Sequence, residues 1–425
     1  MSVVLPREIK YADQLPALPA ETINTQVVLA PVNGATFADS ALIQFDLPAR
    51  AGSFMQPSSL YLRFKASVVA SGTSLTIAGT PATSFFQKLE TIFGSQIVES
   101  VQDWGVVQNM LFNLQLDTAQ KVGSVGLGYL DNSTTPTFAN VQGRNYGTTV
   151  SATTYTAYFA VPLNCILSSC EHLVPLGLMP NCRIQLTTDS ISSIFPTSAT
   201  SFSLSNVELV YDSIDMGAGV EAMVRSMGEK LYIKSQSFTN SSNTLASSTT
   251  GTVELVYNQR LSSIKSLFAL FQGTSANSVN KKYDAYDPTS NSGSLQFLIA
   301  GTQFPSRELS CINNKSGFWC ELRQAIYGSI HEANASMGIS PLTWNRVGND
   351  ATTVALPAQF YVGVNTERLS TNGAILTGVS TNSSSISLRI NTSTATAQTH
   401  NVAVICMYDA IIEIDTVNRN ASVKQ

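Results

Sequence analysis

The chain has 425 residues, 44% of them hydrophobic and 12% charged, with a formal net charge of −4. Soluble domains carry about 25% charged residues, so polarity here comes from Ser, Thr and Asn. That balance lacks the basic footprint of a nucleic-acid binder, and no run approaches the ~20 apolar residues of a membrane-spanning helix.

The length exceeds a usual single core, which predicts two domains. The first 21 residues, "MSVVLPREIKYADQLPALPAE", place Arg7, Glu8, Lys10 and Asp13 where a secretory signal needs an unbroken apolar stretch. We therefore expect synthesis in a reducing compartment without export. Pro6, Pro16 and Pro19 discourage regular structure, which gives residues 1–25 the character of an arm that orders against a neighbour. Six cysteines (Cys165, Cys170, Cys182, Cys311, Cys320 and Cys406) form no C-x-x-C pair and no disulfide-dense framework. N-x-S/T triplets at Asn132, Asn240, Asn314, Asn391 and Asn420 are what an Asn-, Ser- and Thr-rich chain produces by chance. Without an export signal they predict no glycosylation.

Beyond the arm, short alternating runs separated by polar turns read as strands. In "FFQKLETIF", Phe85, Leu89 and Phe93 share one face while Lys88 and Glu90 take the other. One stretch breaks this rule. Ile97, Val101, Trp104, Val107, Leu111 and Leu114 recur at steps of three and four, the period of an amphipathic helix. A second helix is predicted within Met216–Gln236, with Val220, Met223, Val224 and Met227 on one face. It lies between a strand ending at Met216 and another starting near Leu231. A third, "GFWCELRQAIYG", has Phe318, Leu322 and Ile326 at steps of four, with Trp319 beside them.

The chain is also written twice. "IFGSQI" from Ile92 reappears as "IAGTQF" from Ile299, each after a strand-like run and each followed by a helical segment. "SSLYLRF" from Ser58 resembles "SSIKSLFALF" from Ser262, and "MPNCRIQLTTD" from Met179 resembles "LPAQFYVGVNTE" from Leu356. "NVELVYDSIDM" from Asn206 resembles "NVAVICMYDAIIEID" from Asn401. The order is kept at a spacing of roughly 200 residues, which argues for a duplicated domain. Each half then reads as short strands with polar loops plus an inserted helix, a sandwich or barrel.

The strand–Gly-turn–helix unit with its Trp, the segment "VPLGLMPNCRIQLTTD", and "NVELVYDSIDM", a helix, then "EKLYIKSQSF" together resemble double jelly-roll major capsid proteins. These build the shells of tailless icosahedral DNA viruses: phycodnaviruses and their giant relatives, virophages, polinton-like viruses, tectiviruses and adenoviruses. The resemblance spans about Ile23 to Asp415. It implies an all-β chain of two tandem eight-stranded jelly rolls with short inserted helices: an arm at 1–25, a first jelly roll at 26–216, a linker helix at 217–230, a second jelly roll at 231–415 and a tail at 416–425. It further implies a non-enzymatic structural protein whose homotrimers form pseudo-hexagonal capsomers that tile an icosahedral virion. Implied partners are other copies, minor capsid or penton proteins and an internal membrane, with assembly inside the host cell. Gly217, Ala218 and Gly219 depart from the charged linker helix of large algal-virus capsids, and the compact length points to a small-virus type. The alternative from another class is a β-sandwich glycan-binding fibre or adhesin module. It shares the composition, but it does not require a twofold repeat of this length.

Chemical motifs are weak by comparison, and we assign no catalytic, cofactor or metal site. Gly217-x-Gly219-x-x-Ala222 imitates a dinucleotide fingerprint, but "KLYIKSQSF" after it has no acidic residue to hold a ribose. Cys165, Cys170, His172 and Cys182 match no common zinc spacing. His172, His331 and His400 lie far apart, with no nucleophile turn beside them. Glu413 and Asp415 flank Ile414 as one solvated strand face would. Lys281, Lys282, Tyr283 and Tyr286 read as a solvated loop whose charge Asp284 and Asp287 cancel, too little for nucleic acid. The arm adds only Arg7 and Lys10 against three acids, so direct DNA binding is not expected. On this reading the helix around Trp104 is packing, with Gln102 and Gln108 on its solvent face.

Overall fold

The structure, a computed structural model, describes residues 22–70, 77, 82–123, 149–151, 154–195, 199–273, 282–312, 315–328, 330, 337–339, 344, 358–367 and 376–425. Residues 1–21 of the predicted arm, Lys281, His331 and the triplets at Asn132 and Asn314 lie outside the described residues.

The first half holds β1 (Ile23–Leu29), β2 (Thr36–Phe37), β3 (Leu42–Leu47), β4 (Ser53–Met55), β5 (Tyr61–Ala70), β6 (Phe86–Phe93), β7 (Gln96–Val101), β8 (Thr149–Ser151), β9 (Thr154–Pro162), β10 (Cys182–Thr188) and β11 (Ala199–Asp215). The second holds β12 (Lys230–Leu245), β13 (Gly251–Tyr257), β14 (Ile264–Gly273), β15 (Gly293–Ile299), β16 (Thr302–Ser310), β17 (Tyr361–Asn365), β18 (Ile386–Thr392), β19 (His400–Asp415) and β20 (Asn420–Lys424). Among the described residues three longer helices interrupt them: α1 (Trp104–Gln115), α2 (Gly217–Ser226) and α3 (Ser316–Tyr327).

Four sheets result, ordered β1-β11-β5-β9-β8 and β3-β10-β6-β7 in the first half, and β12-β19-β14-β17 and β13-β18-β15-β16 in the second. With the short or flanking strands β2, β4, β8 and β20 set aside, each half has eight strands among the described residues. In both halves the first, eighth, third and sixth form one sheet and the second, seventh, fourth and fifth the other. That is jelly-roll order, written twice. Alternation explains the sandwich: β5 turns Leu62, Phe64, Ala66 and Val68 inward and Tyr61, Arg63 and Lys65 outward. Phe64 meets Phe85 and Phe86 edge-on at 5.7 and 5.5 Å in the first core. In the second half Trp344 packs on Phe360 at 5.2 Å and on Phe318 at 6.4 Å.

Three of the four sequence matches fall on equivalent strands: the hairpins β6–β7 and β15–β16, the third strands β5 and β14, and the last strands β11 and β19. The fourth is a correction. "MPNCRIQLTTD" becomes β10, seventh in its half, whereas "LPAQFYVGVNTE" becomes β17, sixth in its own. The true counterpart of β10 is β18, and pairing shows it: Arg183 of β10 lies opposite Asp46 of β3, and Arg389 of β18 opposite Glu254 of β13. Both cross-strand pairs approach as ions, at 2.6 and 3.8 Å.

The helix predicted from Ile97 also starts later. Ile97 and Val101 belong to β7; Asp103 then takes a left-handed conformation (φ 47°), and α1 begins at Trp104. A strand and a following helix both buried at Val101 and Trp104 imitate one continuous three-to-four period. The linker helix differs in which face it buries. Met223 and Met227 are exposed, and the buried residue is Glu221, whose Oε2 accepts from Gly52 N at 2.6 Å while Arg225 donates to Oε1 at 2.6 Å. α2 thus docks on the backbone before β4 through Glu221, with Val224 of its apolar face partly buried against the core. Ile23–Thr25 already belong to β1, and the residues after Asp415 turn back as β20 along β19.

Candidate assembly surfaces and the seam between the barrels

The strongest constellation of polar and aromatic groups outside the two cores is the seam where the halves meet, and α1 is its centre. Every residue from Trp104 to Leu114 is buried, which an amphipathic surface helix would not show. Trp104, 1% exposed, stands edge-on to Phe86 at 6.2 Å and donates from Nε1 to Asn164 O at 3.1 Å. Gly105 has no room for a side chain: a Cβ there would lie 3.0 Å from Phe86 O and Thr83 O and 3.1 Å from the Tyr283 hydroxyl. Gln108, expected on a solvent face, is 5% exposed and accepts from Asn164 Nδ2 at 2.6 Å. The far side of the helix meets the second barrel instead of water.

Those contacts are specific. Asn113 Nδ2 donates to the Tyr361 hydroxyl at 3.3 Å, and the Tyr327 hydroxyl of α3 donates to Leu114 O at 3.1 Å. Lys121 Nζ donates to Asn113 Oδ1 at 3.0 Å and Gly338 O at 2.7 Å. Burial pushes its pKa down to about 8. The predicted solvated loop is a second correction: Tyr283, Asp284, Tyr286 and Asp287 are buried. Lys282 bridges Asp103 at 2.9 Å and Asp189 at 2.5 Å in the first barrel. Burial alone would lower its pKa, but the two carboxylates outweigh that and hold it raised. Asp287 pairs with Lys315 at 2.7 Å. A run of Lys, Tyr and Asp reads as loop because the acids that neutralise Lys282 come from distant turns, Asp103 before α1 and Asp189 after β10.

Beside α1, Glu99 of β7 is buried. It accepts from Thr91 Oγ1 at 2.8 Å, from Ile166 N at 3.0 Å and from the Ser237 hydroxyl of β12. Burial raises its pKa, and the bonds from Ile166, Ser237 and Thr91 pull it part of the way back. Ser235 donates to Ile166 O, and Gln425 Nε2 reaches Val98 O at 2.8 Å, so the chain's end also closes on the first barrel.

The residues weighed for chemistry do not converge. Cys165 and Cys182 are buried and Cys170 half-buried, and burial pushes all three thiols up to about 12, far from thiolate behaviour. His172 is exposed, whereas His400 is buried with its pKa pushed down to about 4. No group of three or more His, Cys, Asp or Glu suited to a metal occurs among the described residues. α2, the dinucleotide look-alike, joins β11 to β12 in different sheets, so no parallel βαβ unit exists there. Glu413 is not simply solvated. It lies 2.5 Å from both Lys230 and Lys424, whose hydrogen bonds hold its pKa low.

No protein-family model matches the sequence, and no curated protein matches it either. Solved structures do. The Faustovirus major capsid protein aligns at TM-score 0.64 and 9% identity, covering 97% of this chain and 93% of that one. PBCV-1 VP54, fitted into a cryo-EM reconstruction of the virophage Sputnik, aligns at 0.62 and 11%, covering 97% and 99%. The chain has the fold of double jelly-roll major capsid proteins. The mavirus major capsid protein extends the likeness, at 0.53 and 9% over 100% of this chain and 95% of that one. Coverage of both chains nearly end to end means that both jelly rolls are shared, as is their arrangement in tandem. The double jelly roll was visible in the sequence; the seam that α1 fills was not, because polar Gln108 read as part of a solvent face.

Proposed function

We propose that this protein is a major capsid protein whose copies assemble as homotrimeric, pseudo-hexagonal capsomers that tile an icosahedral shell. One observation carries the reading: two jelly rolls of identical strand order, fixed side by side by a buried seam, in a chain that matches capsid proteins over its full length. Three such chains present six similar barrels, so threefold contacts imitate sixfold symmetry. The protein acts by assembly and not by catalysis. Its place is the virion, with formation inside the host cell, and its partners are other copies, minor capsid or penton proteins and an internal membrane.

The residues ahead of β1 serve as an arm; the first jelly roll runs from β1 to β11 and the second from β12 to β19, with α2 in the linker between them and 416–425 as a tail that returns along β19. Genome contact falls to other components, because a chain of net charge −4 offers no basic segment to phosphate. Light scattering of the purified chain tests the reading. A trimer that associates further is expected, and a monomer at every concentration would sink it. Tight, steeply salt-dependent DNA binding would overturn the genome assignment.

A further inference from the structure

We propose that Lys315 and Asp287 join side chain to side chain in an isopeptide bond, a covalent clasp across the open end of the β15–β16 hairpin. Both residues lie in one chain, so the bond forms whether or not copies assemble.

Asp287 lies ahead of β15 and Lys315 just after β16. The hairpin brings them together: Ser294 pairs with Ser310, and Cys311 N donates to Gly293 O at 2.7 Å. The carboxylate is fixed by its own turn. Oδ1 accepts from Thr289 N at 2.8 Å and Thr289 Oγ1 at 2.7 Å, and Oδ2 from Asn291 N at 3.3 Å. Its side chain is 0% exposed and that of Lys315 12%. Aromatic rings cover the amine, with Nζ over Phe360 at 5.0 Å and over Trp344 at 5.9 Å. Nζ lies 2.7 Å from Oδ2, yet it is aligned as a hydrogen bond neither to that oxygen nor to any other acceptor among the described residues. Lys282 makes the contrast: it donates an aligned bond to Asp189 and divides its charge between two acids. Lys315 faces one carboxyl group, at close range, in a dry pocket.

The chemistry balances within the pair. Separate charges are disfavoured away from water, and moving one proton from Nζ to Oδ2 leaves a neutral amine beside a neutral acid. The amine lone pair then attacks Cγ. As the N–C bond forms, the carbonyl electron pair moves to Oδ1, where Thr289 N and Oγ1 stand ready to hold the oxyanion. That pair returns, the Cγ–Oδ2 bond breaks, and Oδ2 leaves as water with the first proton and a second from Nζ. One ammonium and one carboxylate become one amide and one water, so no oxidant, cofactor or activated carrier is needed. Groups held in this way react at effective molarities of about 10⁵–10⁸ M, and the exposed fraction of the lysine gives the water a way out. The product ties together the two ends of a hairpin whose outer strand, β16, has a single strand neighbour among the described residues.

The test weighs the full chain. The purified protein is held folded at neutral pH, then denatured, digested with trypsin and examined by mass spectrometry. Most chains should yield residues 283–307 joined to 308–323 in one branched peptide, lighter than its two parts by the mass of one water. Cleavage after Lys315 should be lost, and fragmentation should place the bond between Asp287 and Lys315. Lys315→Arg keeps the positive charge but presents no amine, and should return to separate linear peptides with no water lost. Linear peptides 283–307 and 308–315 as the main product of the folded wild-type chain overturn the proposal, whether or not Lys315→Arg folds. A branch placed at another pair of residues, or a water loss that Lys315→Arg retains, overturns it equally.

Discussion

Trp104→Ala measures what the seam helix does. The side chain is 1% exposed, packs edge-on to Phe86 and donates to Asn164 O. Truncating a buried Trp costs about 3–5 kcal/mol through lost burial and the cavity left behind. The lost hydrogen bond adds about 1 kcal/mol, which places the expected cost in the upper part of that range. Against a usual stability of about 5–15 kcal/mol, this is enough to deplete the folded chain. Two neighbours calibrate the result. Gln102 is exposed, so Gln102→Ala should stay within about 0.5 kcal/mol. Gln108→Ala strips the acceptor from Asn164 and should cost about 1–3 kcal/mol. Urea denaturation followed by tryptophan fluorescence and circular dichroism gives all three values. Trp104→Ala unfolding at the parent's midpoint, or Gln102→Ala costing as much as Gln108→Ala, would refute the packing assigned to α1.

Three further outcomes follow from buried charge. His400, held at a pKa of about 4 by burial, stays neutral when folded while the unfolded chain binds a proton below its ordinary value of 6.5. Stability should therefore fall by about 3 kcal/mol as pH drops from 6.5 to 4, and His400→Gln should flatten that slope in a pH series of urea melts. Glu99 has the opposite sign: with its pKa raised in the fold, its contribution is present below the unfolded value and is lost as pH rises through the folded one. Glu99→Gln should thus gain on the parent as pH rises above the ordinary glutamate range, and a pH-independent difference would contradict the assignment. Lys282→Met leaves Asp103 and Asp189 facing each other unpaired and should cost about 3 kcal/mol. Lys88→Met, which breaks the more exposed pair with Glu90, should cost under about 1 kcal/mol in the same melts.

The duplication was legible because strand patterns and the hairpin turn at "FGS" and "AGT" are local, and locality survives in sequence. Pairing order is not local. The seventh strand of the second half, "ISLRINT", carries its likeness to "CRIQLTT" in an arginine whose partner sits on another strand, so "QFYVGVNTE" took its place. Glu99, Lys282 and Gln108 were missed for one physical reason. A polar residue is read as solvated unless its partners are known, and most of theirs come from the other barrel or from a distant loop. Met223 and Met227 erred the other way: an apolar stripe on α2 predicts burial, and the single chain partly buries Val224 but leaves both methionines open. The candidate site was therefore legible as a repeat and illegible as a contact.

Electron microscopy of the purified protein tests the central claim most directly. Averaged images should show a threefold particle of three chains, with six similar barrels around a pseudo-hexagonal outline. Single two-lobed particles under every condition, or oligomers in which the barrels do not form a closed ring of six, would contradict the account.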